Sequence, residues 1–154
     1  MEVSDLLAQN AVVANLKAGS KKQALQELAS RAADLTGLHE RQIFDVLLER
    51  ERLGTTGVGQ GIAIPHGKLR ELSRLHGIFA RLETPIDFDA IDDEPVDLIF
   101  LLLAPETAGA DHLKALARVS RLLRDQEFCR KLRGSAEADT LYALLTEQSA
   151  ADSH

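Results

Sequence analysis

One cysteine, Cys129, stands among 154 residues, so the chain can form no internal disulfide and cannot build a thiolate-rich metal site. A reducing compartment is the expectation. Long hydrophobic runs are also missing. The longest, Leu98 to Ala104, falls far short of the roughly 20 residues that span a bilayer, and the N-terminus carries acidic residues without a signal-like apolar stretch. We therefore expect a cytoplasmic protein with no membrane insertion. Positive charge is in deficit as well: 18 Lys and Arg against 24 Asp and Glu leave a formal net charge of −6. Binding to nucleic acid through counterion release needs a basic stripe, so no nucleic-acid partner is expected, whereas a protein with a basic contact face is accommodated.

What is present is enough for one domain. A chain that is 45% hydrophobic and 27% charged can bury a core and is too short for two ordinary domains. No repeat, linker or low-complexity stretch divides it. The expected domain covers residues 1–148, with 149–154 as a disordered tail.

Periodicity outlines the elements. Ser20 with Gln23 three residues on is a capping-box signal, and Leu25, Leu28, Ala29, Ala32 and Leu35 follow at helical spacing until Gly37. A second helix starts near Glu40 with Ile43, Val46 and Leu47 on its apolar face, and Gly54 ends it. The next eight residues, G-T-T-G-V-G-Q-G from Gly54 to Gly61, favour irregular backbone, and Ile62 to Pro65 reads as a short buried strand. Ile78 to Leu82 and Ile86 to Phe88 look like two further strands. Val96 to Leu103 is apolar but for Asp97, typical of a central strand covered on both faces. Asp111 is placed to cap a helix carrying Leu113, Leu116, Ala117, Ser120 and Leu123, and shorter helices follow over Gln126–Leu132 and Glu137–Gln148. The pattern is that of an α/β sandwich.

Three places carry chemistry. Arg50 lies near the centre of its helix's apolar face, where a charge needs a partner or an anion unless the side chain snorkels out. Its position just before the glycine-rich loop gives its guanidinium reach into the space the loop encloses. Within that loop Gly57, Gly59 and Gly61 let backbone N–H groups converge, and the hydroxyls of Thr55 and Thr56 add donors, a composition suited to phosphoryl oxygens. The loop lacks the Lys-Ser/Thr pair of a P-loop and the third glycine of a dinucleotide fingerprint, so no nucleotide cofactor is expected. His66, between Pro65 and Gly67, sits on constrained backbone at a strand exit. Alone it reads as a turn histidine hydrogen-bonded to backbone; beside Arg50 and the loop it reads as a nucleophile. Neutral imidazole attacks phosphorus near pH 7 without first losing a proton, and the resulting phosphoramidate can pass the group onward. His112, just past the central strand, is equally a packed first-turn residue or a second site group. A metal centre built from His66, His112 and Asp111 has no recognised ligand spacing, so no metal is expected. His39, His76 and His154 each have an ordinary structural place.

The stretch E-R-L-G-T-T-G-V-G-Q-G-I-A-I-P-H-G-K, Glu51 to Lys68, closely resembles the active-site signature of the fructose/mannitol-type IIA family of the phosphoenolpyruvate-dependent phosphotransferase system. The resemblance continues through Leu82 to Pro105 and through D-H-L-K-A-L-A, Asp111 to Ala117, and covers the chain from about Ser4 to Leu145. It is nearest to the nitrogen-related branch of that family, which lacks an attached sugar permease. The resemblance implies a single-domain sandwich, with a mixed parallel and antiparallel sheet flanked by helices on both faces. It also implies a cofactor-free phosphotransferase in which His66 accepts a phosphoryl group, most simply on Nε2, from an HPr-like phosphocarrier. Arg50 would hold that group and His112 would hydrogen-bond it. Regulatory target proteins would read the phosphorylation state, or, in a sugar-transport member, a IIB domain would take the phosphoryl group.

Overall fold

In the computed structural model, which describes residues 2–152, six strands and five helices form a single mixed sheet and its covering layers among the described residues. The strands are β1 (Leu7–Val13), β2 (Gly57–Gly59), β3 (Ile62–Ala63), β4 (His66–Leu69), β5 (His76–Ile86) and β6 (Val96–Pro105). The helices are α1 (Lys21–Thr36), α2 (Glu40–Arg52), α3 (Ala110–Arg124), α4 (Gln126–Arg133) and α5 (Ala138–Asp152). A 3₁₀ turn, Val3–Asp5, precedes β1.

The apolar run at Val96 to Leu103 becomes β6, the hub of the sheet, and every side chain from Leu98 to Pro105 is buried. Burial on both sides of the pleat means that helices cover both faces. On one flank β6 runs antiparallel to β5, which in turn runs parallel to β1. On the other it pairs in parallel with β3 (Ile62↔Leu98, Ala63↔Ile99) and then with β4 (His66↔Leu102 to Leu69↔Pro105). The two short strands form one line along β6, broken at Ile64 and Pro65. Proline has no N–H to give the ladder, but its carbonyl still accepts from Leu102 N–H at 3.0 Å, so the line resumes at His66.

Helix ends follow their local chemistry. The Ser20 hydroxyl accepts from Gln23 N–H at 3.2 Å and Gly37 closes α1 at φ 79°.

Several expectations are corrected. Strand β1 had no counterpart in the sequence reading, because its burial pattern is one buried, three exposed and three buried residues rather than an alternation. The two strands read at Ile78–Leu82 and Ile86–Phe88 are one strand, β5, and the exposed Glu83-Thr84-Pro85 that separates its apolar patches coincides with a register shift against β6. The loop read as irregular contains β2, which forms a hairpin with β3. Gln60 and Gly61 make the turn with φ 58° and 82°, positive at both positions as a type I′ turn requires. The strand read from Ile62 to Pro65 is shorter, and His66 opens β4 instead of following a strand. Gly109, not Asp111, is the N-cap of α3, and Asp111 lies in the first turn. The disordered tail does not begin at Ser149: α5 continues to Asp152, and the fully buried Ser149 hydroxyl accepts from Val3 N–H at 2.9 Å. Residues 153–154 of that tail lie outside the described residues.

Candidate functional site

Helix α2 buries Ile43, Phe44, Leu47 and, unusually, Glu51, and this stripe turns Arg50 toward the start of β4. Arg50 is half-buried. Its Nη1 donates to the Gly54 carbonyl at 2.9 Å, which holds the guanidinium in place, while its Nε donates to Nε2 of His66 at 3.2 Å. Sixteen residues of sequence separate the two side chains, and the fold puts them in direct contact.

His66 is half-buried at the sheet break. Its Nδ1 lies 3.0 Å from the Ile64 carbonyl, and a carbonyl can only accept, so Nδ1 carries the proton and Nε2 presents a bare lone pair. Burial pushes the His66 pKa below its ordinary 6.5, with the Ile64 bond working against that shift, the Arg50 charge adding to it and the Glu51 charge opposing it. The ring is therefore neutral at neutral pH.

The next residue, Gly67, explains how α2 comes so close. A Cβ there would sit 2.5 Å from Val46 Cγ1, so only glycine lets the helix pack against β4 at this distance. From the other side, α3 brings His112, which is 5% exposed, with its ring edge-on to His66 (centroids 5.6 Å apart, planes at 83°). Burial lowers the His112 pKa, and the His66 and Lys68 charges lower it further. Among the described residues its buried Nδ1 has no hydrogen-bond partner, a costly arrangement that leaves a polar atom ready for one.

These groups open onto a cleft of about 610 Å³. Its walls are largely apolar, with Val46, Leu116, and the strongly exposed Leu53 (85%) and Leu113 (69%) at the rim, and Arg50 and Lys68 supply positive charge. A neutral imidazole lone pair, a fixed guanidinium and a lysine beside an exposed apolar rim can accept a phosphoryl group offered by another protein.

The structure brings together Arg50, His66 and His112 but not the loop residues. The Thr55 hydroxyl donates to the Phe88 carbonyl at 3.0 Å and its oxygen accepts from Gly57 N–H at 3.0 Å. Thr56 gives both its N–H (3.0 Å) and its hydroxyl to the Glu51 carboxylate. An added Cβ at Gly59 would meet Asp92, and one at Gly61 would meet Arg133 and Asp97. Thr55, Thr56, Gly57, Gly59 and Gly61 thus belong to the hairpin and its entry, where the Thr55, Thr56 and Gly57 donors have partners. Gly61 supplies positive φ to the two-residue turn, and Gly57 packs closely on Ala90. Among the described residues no group of three or more His, Cys, Asp or Glu side chains converges, and Asp111 is exposed.

Sequence reasoning missed Glu51, Lys68, Leu53 and Leu113. Glu51 could have been found, since it continues the Ile43 and Leu47 stripe at i+8 and i+4. Leu53 and Leu113 carry no local signal, because an exposed leucine is ordinary until the fold sets two of them around one cleft.

Comparison with known proteins gives the family. Residues 5–148 match the family model described as phosphoenolpyruvate-dependent sugar phosphotransferase system, EIIA 2. The chain is 62% identical, over 94% of its length and 95% of the relative, to a nitrogen regulatory protein of Bradyrhizobium diazoefficiens. It is 40% identical, over 83% of its length and 84% of the relative, to a fructose-specific EIIA component of Haloferax volcanii. Among solved structures it superposes on nitrogen regulatory protein IIA-Ntr of Neisseria meningitidis with TM-score 0.89 and 35% identity, covering 94% of this chain and 99% of that one.

Proposed function

Because the chain belongs to the EIIA 2 family of the phosphoenolpyruvate-dependent sugar phosphotransferase system, we propose that it is a histidine phosphocarrier that takes its phosphoryl group on Nε2 of His66. The observation that carries the reading is the unprotonated Nε2 facing the Arg50 guanidinium at 3.2 Å in an open cleft. Members of this family work with HPr-like donors and IIB domains, and the donor proposed here is an HPr-like phosphocarrier.

The transfer is an in-line displacement. The Nε2 lone pair attacks phosphorus, the bond from phosphorus to the donor's histidine nitrogen breaks, and the donor ring keeps the electron pair. No base is needed, since Nδ1 retains its proton on the Ile64 carbonyl throughout. Arg50, released from Nε2 as the new bond forms, pairs with the equatorial oxygens, and His112 supplies a further hydrogen bond. Leu53 and Leu113 form the apolar rim against which the donor docks.

The output proposed is regulatory: a dianionic phosphoryl group on His66 changes the charge of the cleft face, so target proteins distinguish the two forms. The 62% identity to a nitrogen regulatory protein supports this branch. A sugar-transport role, passing the group to a IIB domain, is the second reading and is supported by the 40% identity to a fructose-specific component.

The test supplies phosphoenolpyruvate, the first-stage enzyme and the carrier. An acid-labile mass gain of one phosphoryl group is expected, and a His66→Ala protein that still gains it refutes the assignment. Adding a IIB domain separates the branches, because rapid loss of the group to IIB favours transport.

A further inference from the structure

Glu51 is an ionisable side chain that the transfer mechanism does not use, yet it is 8% exposed and lies next to Arg50 in the chain. Burying a carboxylate costs several kcal/mol unless it is fully paired, and an apolar side chain would fill the same stripe of α2 at no such cost. This carboxylate is fully paired. One oxygen accepts from Lys21 Nζ at 2.9 Å and from Thr56 N–H at 3.0 Å, and the other accepts from the Thr56 hydroxyl. Lys21, at the start of α1, is itself largely covered and lies 4.9 Å over the Phe88 ring. The last turn of α2 and the entry to the β2–β3 hairpin, neighbours in sequence, are thereby tied at one point to the remote first turn of α1.

What the tie holds leads directly to the imidazole. Taking both donors of Thr56 with the two oxygens of one carboxylate fixes the Thr56 peptide in position and rotation. The Thr56 carbonyl then accepts from Ile64 N–H at 3.0 Å, and the Ile64 carbonyl accepts from Nδ1–H of His66 at 3.0 Å. The order Lys21, Glu51, Thr56, Ile64, His66 is a continuous series of hydrogen bonds that ends on the nitrogen deciding the tautomer. Ile64 lies between β3 and β4, and since the Gly61 and Pro65 carbonyls are the ones that accept from β6, the Ile64 N–H faces the β2 side, where the Thr56 carbonyl holds it.

We propose that Glu51 is a positioning residue that, through Thr56 and the Ile64 backbone, keeps His66 in the Nδ1–H tautomer with Nε2 unprotonated. The consequence for transfer rests on the reading of His66 as phosphoryl acceptor; the consequence for the tautomer does not. Were the Ile64 carbonyl to rotate away, only the Arg50 Nε–H donated to Nε2 would still oppose movement of the proton there, and a ring protonated on Nε2 has no lone pair on the nitrogen facing the cleft.

Long-range ¹H–¹⁵N correlation spectra of the His66 ring read the tautomer in the full chain. The native protein is expected to give the Nδ1–H pattern, and Glu51→Gln a mixture of the two tautomers. Transfer from the phosphorylated carrier is expected to slow by about 10-fold, with KM for the carrier unchanged, as befits a fault in the nucleophile's protonation and not in docking. Thr56→Val, which keeps the N–H but removes the hydroxyl, should show the same changes to a smaller degree, and it supplies the reading if Glu51→Gln does not fold. A folded variant whose His66 spectrum matches the native one overturns the proposal. A native protein that takes no phosphoryl group at all, with the tautomer still shifting in Glu51→Gln, would overturn the phosphocarrier reading instead.

Discussion

At the scale of single residues the chemistry turns on two nitrogens of His66 facing different partners. Nδ1–H is spent on the Ile64 carbonyl, so the lone pair of Nε2 is directed at Arg50. Arg50→Ala should lower the rate of phosphoryl uptake by roughly 100-fold in a rapid-quench assay, because a charged donor to the transferring oxygens is lost. Its thermal unfolding should stay close to native, since among the described residues the Arg50 side chain hydrogen-bonds only to His66 and the Gly54 carbonyl. The rate should also depend on pH in one direction. Because burial holds the His66 pKa below 6.5, uptake is expected to be flat from pH 8 down to about 6.5 and to fall only below that, as Nε2 takes a proton. A rate that halves between pH 8 and 7 would contradict the neutral-ring mechanism. His66 and Arg50 were legible from the chain because proline, histidine and glycine in succession, and an arginine on an apolar helix face, are each anomalies. His112 was equally readable as a packed residue, and its 5.6 Å approach to His66 is a fact of the fold.

At the scale of elements the site depends on the sheet break and on how closely α2 approaches it. Gly67→Ala would drive a methyl to 2.5 Å from Val46 Cγ1 on α2. The helix or the strand must shift, which should cost about 1–3 kcal/mol in a denaturant titration and slow phosphoryl uptake by moving Arg50 off His66. A protein of native stability and rate would show that α2 has slack to give. The hairpin was not legible in the sequence, where its residues read as irregular backbone. Four glycines and two threonines in eight residues suit an anion cradle and a tight turn equally well. The distinction is made by Phe88, Glu51 and Asp92, residues outside the loop or before it, which take the loop's donors. Helices α1 and α2 were legible nearly to the residue, because capping and 3.6-residue periodicity are local properties. Strand β1 was not, because its polar residues follow its edge position and its register shift.

At the scale of the whole molecule, two consequences concern recognition and stability. Leu53 and Leu113 come from different helical regions and meet only at the cleft rim. Leu53→Asp with Leu113→Asp should raise KM for the phosphorylated carrier by 10-fold or more while leaving stability unchanged, as expected for truncating an apolar docking surface. An unaltered KM would place the docking face elsewhere. Stability should fall on acidification before the carboxylates titrate. His66, His76 and His112 all have pKa values lowered by burial. Below pH 6.5 the unfolded chain therefore takes up protons that the folded chain refuses, and the equilibrium moves toward unfolding until the lowered folded values are passed. Urea midpoints measured from pH 8 to 5 should be level above 6.5 and decline below it, and a midpoint that rises on acidification would refute the assignment. The sequence by itself determined the α/β class, the central strand, the main helices and the histidine proposed as nucleophile, because periodicity, capping and residue chemistry act over a few neighbours. Only the tertiary structure decided that the glycine loop serves the hairpin, that Glu51 ties three segments together, and that His112 and two exposed leucines surround His66. Those depend on which distant groups satisfy one another's hydrogen bonds and fill one another's space, and no local pattern encodes that.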